Sequence, residues 1–433
     1  MANTELSTIL DYLDGLSGSV ETIQARLTAC QAVGPESGGQ GEAKKAALIE
    51  KWLKAMGISD IVHCDAPDER VKEGLRPNFI ATIPGKSKRA FWIFAHLDVV
   101  PAGDRALWNT DPWTVVRNGD TLYGRGVEDN QQAIVGMLLL AQALLHNKVV
   151  PEHTVKLVFM SDEECGNEKG LAYMLKHEPT LFPPDDLYLI PDGGLADGTG
   201  IEVAEKAMLW LKCSVKGVQC HASTPQKGVN ALVAASDIIL SLTGLAKDFS
   251  QSDPLFDPPK STFVPTRHME NVPGINIVPG TDVFFLDCRL VPGIDRSAII
   301  AKARERARAV AKRRGVGVEV EPVLNQPATQ TATEAPVASL LSACLAKASV
   351  KAKFIGIGGG TLAALLRRRG IPAVVWSTIA SSCHEPNEHS SIQSTIDDTK
   401  VFALMAMRAK PGTATSTASS SAEATPAAKP RRP

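Results

Sequence analysis

The stretch Phe91-Trp92-Ile93-Phe94-Ala95-His96-Leu97-Asp98 decides the fold. Phe91 to Phe94 are large and apolar, and no turn former interrupts them. Pro84-Gly85 precedes the run and Pro101-Ala102-Gly103 follows it. A continuous apolar run, rather than an alternating one, suits a strand covered on both faces, so it reads as a buried strand of an α/β protein. Ligands of open α/β sheets bind beyond the carboxyl ends of the strands, and there this strand carries His96 and Asp98. Two apart on an extended chain, they point the same way. Asp98 can accept one imidazole N–H and leave the other ring nitrogen free for a metal. By itself the pair is more commonly a core histidine with a nearby surface aspartate, and the rest of the chain has to weigh the two readings.

Working outward, strands are expected at about 78–83 and 91–95, at Val155 to Met160 and at Leu187 to Ile190. The last two end in Ser161-Asp162-Glu163-Glu164 and in Pro191-Asp192-Gly193-Gly194, so each of these strand ends carries acid. Helical periodicity fills 5–30, 42–56, about 130–146, 335–348, 361–369 and 393–408. Helices between strands imply a mostly parallel sheet with helices on both faces. From about 208 the order changes to strand, helix, strand, strand, helix, strand, which is a ferredoxin-like α+β arrangement. The expected division is therefore a catalytic domain in two parts, 1–207 and 322–410, around an inserted lid at 208–321. The Ala/Ser/Thr/Pro-rich segment 411–433 lacks any large apolar residue and is expected to be a disordered tail.

At 433 residues, 44% hydrophobic and 21% charged, the chain has the composition of a globular protein of about two domains. A net charge of −1 gives no electrostatic case for nucleic acid or a membrane surface. No basic, then apolar, leader opens the chain, and no apolar run is long enough to span a bilayer. Eight cysteines without a Cys-x-x-Cys pair argue against a disulfide framework or a thiolate zinc site, and fit a reducing cytoplasm.

Collected in order, the chemistry-bearing pieces are His96-Leu-Asp98, Gly124-Arg-Gly-Val-Glu-Asp129, Asp162-Glu163-Glu164, Pro191-Asp192 and His384-Glu-Pro-Asn387-Glu388. Each has a bland reading. Asp129 could cap a helix, Glu163-Glu164 could be solvated loop charge, and Asp192-Gly193 could be a turn. His389 competes with His384 for a ligand role. As an ordered set the pieces resemble the M20 metallopeptidases, the aminoacylase/carboxypeptidase family. That family includes succinyl-diaminopimelate desuccinylase, acetylornithine deacetylase, dipeptidases and glutamate carboxypeptidases. The resemblance covers about residues 5–408. It implies two divalent metal ions, Zn²⁺ with Co²⁺ or Mn²⁺ as replacements, and it implies their ligands. Asp129 would bridge them, His96 and Asp192 would complete one site, and Glu164 and His384 the other. Asp98 would orient His96, and Glu163 would be the general base. Imidazole and carboxylate donors without thiolate suit such ions independently. One departure stands out: the family usually follows the bridging Asp with an acidic residue or Met and then Lys-Gly, whereas this chain has Asn130-Gln131-Gln132. The resemblance also implies a cis peptide after that Asp, which makes Asp129-Asn130 the candidate.

The resemblance extends to substrate contacts. His221, in Gly217-Val-Gln-Cys-His221-Ala-Ser-Thr-Pro225, would polarise the scissile carbonyl in the active site of a neighbouring subunit, which implies a homodimer paired through the lid. Arg289 could clamp a substrate carboxylate, and Asn276 falls with it among the implied substrate-binding residues. Gly358-Gly359-Gly360-Thr361 opens a helix, whose backbone N–H groups could hold an anion. The reading is a two-metal amidohydrolase acting on a small molecule or short peptide with a free carboxylate. A deacylase of desuccinylase type is the first choice, and a dipeptidase or carboxypeptidase the alternative. A non-catalytic binding protein on the same fold is the competing class.

Overall fold

The computed structural model describes residues 2–408; the segment 411–433, expected to be a tail, lies outside them. The central strand runs Ser87–His96, and its last seven residues are buried. Phe91, Ile93 and Ala95 enter one hydrophobic cluster and Trp92 and Phe94 another. The period-2 alternation of a strand thus feeds two cores, and this is why the run could not alternate with polar residues. The first core lies under the helices Ala2–Asp14, Ser17–Thr28, Ala43–Ala55, Gln131–His146, Pro336–Lys347 and Ile392–Met407. The second packs Trp92, Phe94, Phe182 and Tyr188 against the short helices Leu171–His177 and Leu362–Arg367.

Across the large sheet the order is Ile61–His63, Phe79–Ile83, His153–Met160, Ser87–His96, Leu187–Gly194, Ala373–Ser377, Gly200–Glu205 and Thr329–Gln330, with Lys353–Ile357 also paired to Gly200–Glu205. The four strands from His153–Met160 to Ala373–Ser377 are parallel, and the antiparallel pairings lie towards the margins. Parallel central strands put their carboxyl ends on one rim. His96, the Ser161–Glu164 turn, Asp192 and the loop after Ser377 therefore gather there.

The inserted unit is a four-stranded antiparallel sheet in the order Thr262–His268, Thr281–Leu290, Ala207–Lys216, Gly317–Gln326. The helices Ala231–Thr243 and Arg296–Arg314 cover one face and share a separate core with it. The order and connections are ferredoxin-like, as the sequence pattern predicts. Two elements differ from expectation. The predicted 5–30 helix breaks at Gly15-Leu16 into two, and Gly200–Glu205 is a fully buried strand that the pattern did not suggest. No described helix is long and apolar enough to cross a membrane. All eight cysteines are free.

Candidate metal centre

His96 ends the central strand fully buried. Its Nδ1 lies 3.0 Å from the backbone carbonyl oxygen of Asp98 and 3.5 Å from that residue's carboxylate. The closer partner is thus the carbonyl of Asp98, with its carboxylate just behind. The Asp98 carboxylate has another task. Its two oxygens accept the backbone N–H of Glu163 at 3.2 Å and of Glu164 at 3.0 Å, so one side chain pins both adjacent glutamates. The left-handed conformation of Asp162, φ 67°, turns the chain abruptly after its strand.

Nε2 of His96 faces Asp129 Oδ1 at 2.8 Å and Asp192 Oδ1 at 3.7 Å. His384 approaches from the opposite side, its Nε2 3.1 Å from Asp129 Oδ2 and 3.0 Å from Glu164 Oε2. Asp129 therefore shows one oxygen to each histidine, which is the disposition of a bridging carboxylate. It caps no helix: the helix Gln131–His146 begins after Asn130. Asp192 belongs to the strand Leu187–Gly194 rather than to a turn. His389 is held away, in a strand paired with Tyr123 and with its Nδ1 on the Asn387 carbonyl. The Asp129-Asn130 peptide is cis.

Ligand atoms of His96, Asp129 and Glu164 fall within 4.8 Å of one another, as do those of His96, Glu163 and Asp192. Glu164 Oε1 is buried without a hydrogen-bond partner. The carboxylates of Asp98, Asp129, Glu163, Glu164 and Asp192 converge on only two imidazoles. An orphaned carboxylate oxygen, surplus negative charge and oxygen and nitrogen donors together fit divalent cations. The electrostatics carry the same demand. Burial raises the Glu163 carboxyl well above its usual range, with His96 opposing and Asp192, Glu164 and Asp98 reinforcing. Burial pushes Asp192 up to about 6 against the pull of His96. Hydrogen bonds that His384 donates to Asp129 and Glu164 raise it to about 10, burial opposing. Burial works against ionisation of Asp129, but His384 and His96 hold its carboxyl low.

The loops are clasped by two glutamates whose roles the sequence did not reveal. Glu388 accepts the backbone N–H of Gly126 at 2.9 Å and of Glu128 and Asp129 at 3.0 Å, and the Arg125 guanidinium at 2.6 Å. Glu128 accepts the N–H groups of Ser381 and Ser382, each at 2.7 Å, and the Ser382 hydroxyl. The loop of Asp129 and the loop of His384 thus hold each other. Gly126 is required in this turn: at φ 86°, a Cβ would lie 2.5 Å from Gln131 and 2.7 Å from Val99. Asn387 anchors the 104–120 loop, accepting the Asn109 N–H and donating to the Leu107 carbonyl.

The expected substrate contacts lie elsewhere. His221 is exposed in the lid, and its Nδ1 accepts from the Ser223 N–H at 3.1 Å and faces the Ser223 hydroxyl at 2.7 Å. It makes no hydrogen bond to the metal-centre residues of its own chain. Asn276 is exposed beside it, and its carbonyl accepts the Ala222 N–H. Arg289 is forked by Asp287 at 2.8 and 3.1 Å and donates to the Gly358 carbonyl at 2.9 Å, which ties the lid to the Gly358–Thr361 turn. The anion site expected at Gly359-Gly360-Thr361 needs correction. Glu205 already accepts the Thr361 N–H at 3.1 Å and its hydroxyl at 2.6 Å. The anion at this helix start is the protein's own.

Comparison with known proteins follows the geometry. An uncharacterized metallohydrolase of Methanocaldococcus jannaschii is 33% identical over 396 residues, covering 88% of this chain and 97% of that one. A succinyl-diaminopimelate desuccinylase of Dinoroseobacter shibae is 25% identical over 378 residues, covering 86% of this chain and 93% of that one. In fold, the crystal structure of human carnosine dipeptidase 1 superposes with a TM-score of 0.73 at 17% identity, over 93% of this chain and 98% of that one. The model of peptidase family M20/M25/M40 matches residues 92–408, from the central strand through the clasped loops to the last helix, and the chain belongs to that family of metallohydrolases.

Proposed function

We propose that the protein is a two-metal amidohydrolase that removes an acyl group from an N-acyl amino acid bearing a free carboxylate, as a deacylase of desuccinylase type. The observation that carries this is the division of labour imposed by Asp98. It fixes two neighbouring glutamates so that Glu164 joins Asp129 and His384 while Glu163 joins His96 and Asp192. His96, Asp129 and Asp192 would hold one ion, and Asp129, Glu164 and His384 the other, Zn²⁺ being the best fit to these donors. Such a pair of ions supplies a water acidified towards a pKa of ~7 and a polarised carbonyl. Glu163 takes the proton of the attacking water and returns it to the departing amine. Arg289, released from Asp287 or sharing it, binds the substrate carboxylate. In His221, Nδ1 is satisfied by Ser223, which favours a proton on Nε2 and makes that atom a donor for the developing oxyanion.

Because His221 is remote in contact from its own metal centre, it serves the site of a second copy. The lid supports pairing. Leu232, Val233 and Leu240 are exposed apolar side chains on the helix Ala231–Thr243, Leu240 at 71% exposure. The lid sheet spans Ala207 to Gln326, so the lid would extend five residues past the expected boundary at 321, with the catalytic unit formed by the residues before and after it. Eight free cysteines favour a cytoplasmic setting. The test is a hydrolysis screen of N-succinyl and N-acetyl amino acids and dipeptides, with Zn²⁺, Co²⁺ or Mn²⁺ added. Turnover of acyl amino acids supports the proposal. Turnover of dipeptides alone moves the assignment to a dipeptidase.

A further inference from the structure

The three residues Glu128-Asp129-Asn130 send their side chains to three different places. Asp129 lies between the two histidines, and Glu128 holds the backbone of the loop that carries His384. Asn130 turns the other way. Its Nδ2 donates to the Pro191 carbonyl at 2.9 Å and to Asp192 Oδ1 at 2.8 Å. Both partners are acceptors only, so the orientation of the amide is dictated by chemistry: its oxygen in that place would face two other oxygens. Asn130 is 2% exposed and its Oδ1 has no partner. Retaining a buried amide at the cost of an unsatisfied oxygen requires something in return. The return is control of one carboxylate.

We propose that Asn130 is a positioning residue that sets the rotation of the Asp192 carboxylate and thereby governs the affinity of one metal position and not the other. The inference rests on the two-metal reading of the site. With one hydrogen of the amide on Pro191 O and the other on Asp192 Oδ1, the carboxylate plane cannot swing about its Cβ–Cγ bond without breaking a buried hydrogen bond. A neutral donor also orients the ligand without cancelling its charge, whereas an acidic side chain in the same place would oppose it. This makes Asn130 more than a filler at the position where the chain departs from the sequence pattern usual for its family. Partners that orient a metal ligand typically change affinity 10–100-fold when removed.

The experiment is a Co²⁺ titration of chelator-stripped full-length protein, followed by visible absorption and by metal analysis after equilibrium dialysis. Wild type, Asn130→Ala and Asn130→Asp are compared, and thermal melting of each stripped protein monitors the fold. Wild type is expected to take two ions per chain. If it takes fewer, the two-metal reading itself fails, whatever the variants do. Both variants are expected to bind one ion roughly 10–100-fold more weakly and the other as wild type does, with the stripped protein still melting cooperatively above the temperature of the titration. Asn130→Asp keeps the volume but sets a second negative charge against Asp192, whereas Asn130→Ala removes the donor without adding charge, so wild-type affinity for both ions in Asn130→Ala overturns the proposal. Equal weakening of both ions, or a lowered melting temperature accounting for the loss, also overturns it and leaves Asn130 a structural residue.

Discussion

Replacing Glu388 by Gln should open the metal centre without touching a ligand. The carboxylate accepts three backbone N–H groups and the buried Arg125 guanidinium. An amide of the same shape keeps one acceptor oxygen and turns an NH₂ group towards donors. A buried N–H left unpaired costs ~1–3 kcal/mol, and breaking a buried ion pair from one side costs ~3–5 kcal/mol. Since Gln retains part of the bonding, the clasp should weaken by ~3–5 kcal/mol. Full truncation in Glu388→Ala approaches the ~5–15 kcal/mol that holds a whole domain together. At 1.36 kcal/mol per decade, the Gln variant should speed hydrogen exchange of the Gly126, Glu128 and Asp129 amides by roughly 10²–10⁴-fold. Amides of the central strand should be much less affected. Exchange measured by NMR or by mass spectrometry of the 124–130 peptide reads this directly. Wild-type protection in that peptide, with global stability unchanged, would refute the idea that the clasp rather than the surrounding core holds the loop.

Glu163→Gln is expected to retain metal and lose most turnover, while Glu164→Gln loses metal from the site it shares with His384; metal analysis of the two proteins checks the split, and the reverse pattern would exchange their roles. His221→Ala should lose turnover by ~10²–10³-fold with metal content unchanged. Mixed with inactive Glu163→Gln under subunit exchange it should recover partial activity, and no recovery despite proven exchange would count against action across a dimer. Lys45 is buried with an unpartnered ammonium, and burial lowers its pKa to about 8 against the attraction of Asp98, Cys30, Glu42 and Glu388. The unfolded chain keeps that proton up to its ordinary pKa near ~10.4. The folded chain releases it earlier, so this residue's contribution to stability should rise between pH 8 and about 10.5, by ~3 kcal/mol in all. Urea unfolding at stepped pH should show a flatter profile for Lys45→Met, and an identical rise in both proteins would dispose of the assignment.

The main features of the centre could be read from the chain because they rest on short-range rules. An unbroken apolar run implies a strand with two covered faces, and parallel strands bring their carboxyl ends to one rim. His96, Glu163, Glu164 and Asp192 could therefore be placed at strand ends before any coordinates, while Asp129 and His384 entered as ligands through the family resemblance. Apart from the local break at Gly15-Leu16, the missed features depend on partners far along the chain. Gly200–Glu205 carries two glutamates and looked unlike a buried strand. Arg367 makes Glu202 tolerable there, donating to it at 2.8 Å from a helix on the far side of the lid in sequence. Thr361 does the same for Glu205. Burial still raises the carboxyl of Glu202 to about 8, Arg367 opposing. Glu128 and Glu388 looked like motif spacing because no local pattern marks a carboxylate that will accept backbone N–H groups some 260 positions away. Asn130 appeared as a departure from pattern, and only the contact with Asp192 gave it meaning.

The reciprocal hold of Glu128 and Glu388 also sets a timetable. A ribosome adding about 5–20 residues per second finishes Asp192 some 10–40 seconds before it reaches Glu388. During that interval the nascent chain carries His96, Asp129, Glu163, Glu164 and Asp192 but neither His384 nor the carboxylate that fixes the Asp129 loop. The lid is made in the same interval and has a core of its own with which to fold. The half-built centre is rich in carboxylates and lacks the loop that clasps it. The two loops can therefore hold each other only once Glu388 has been added, well after the lid is complete.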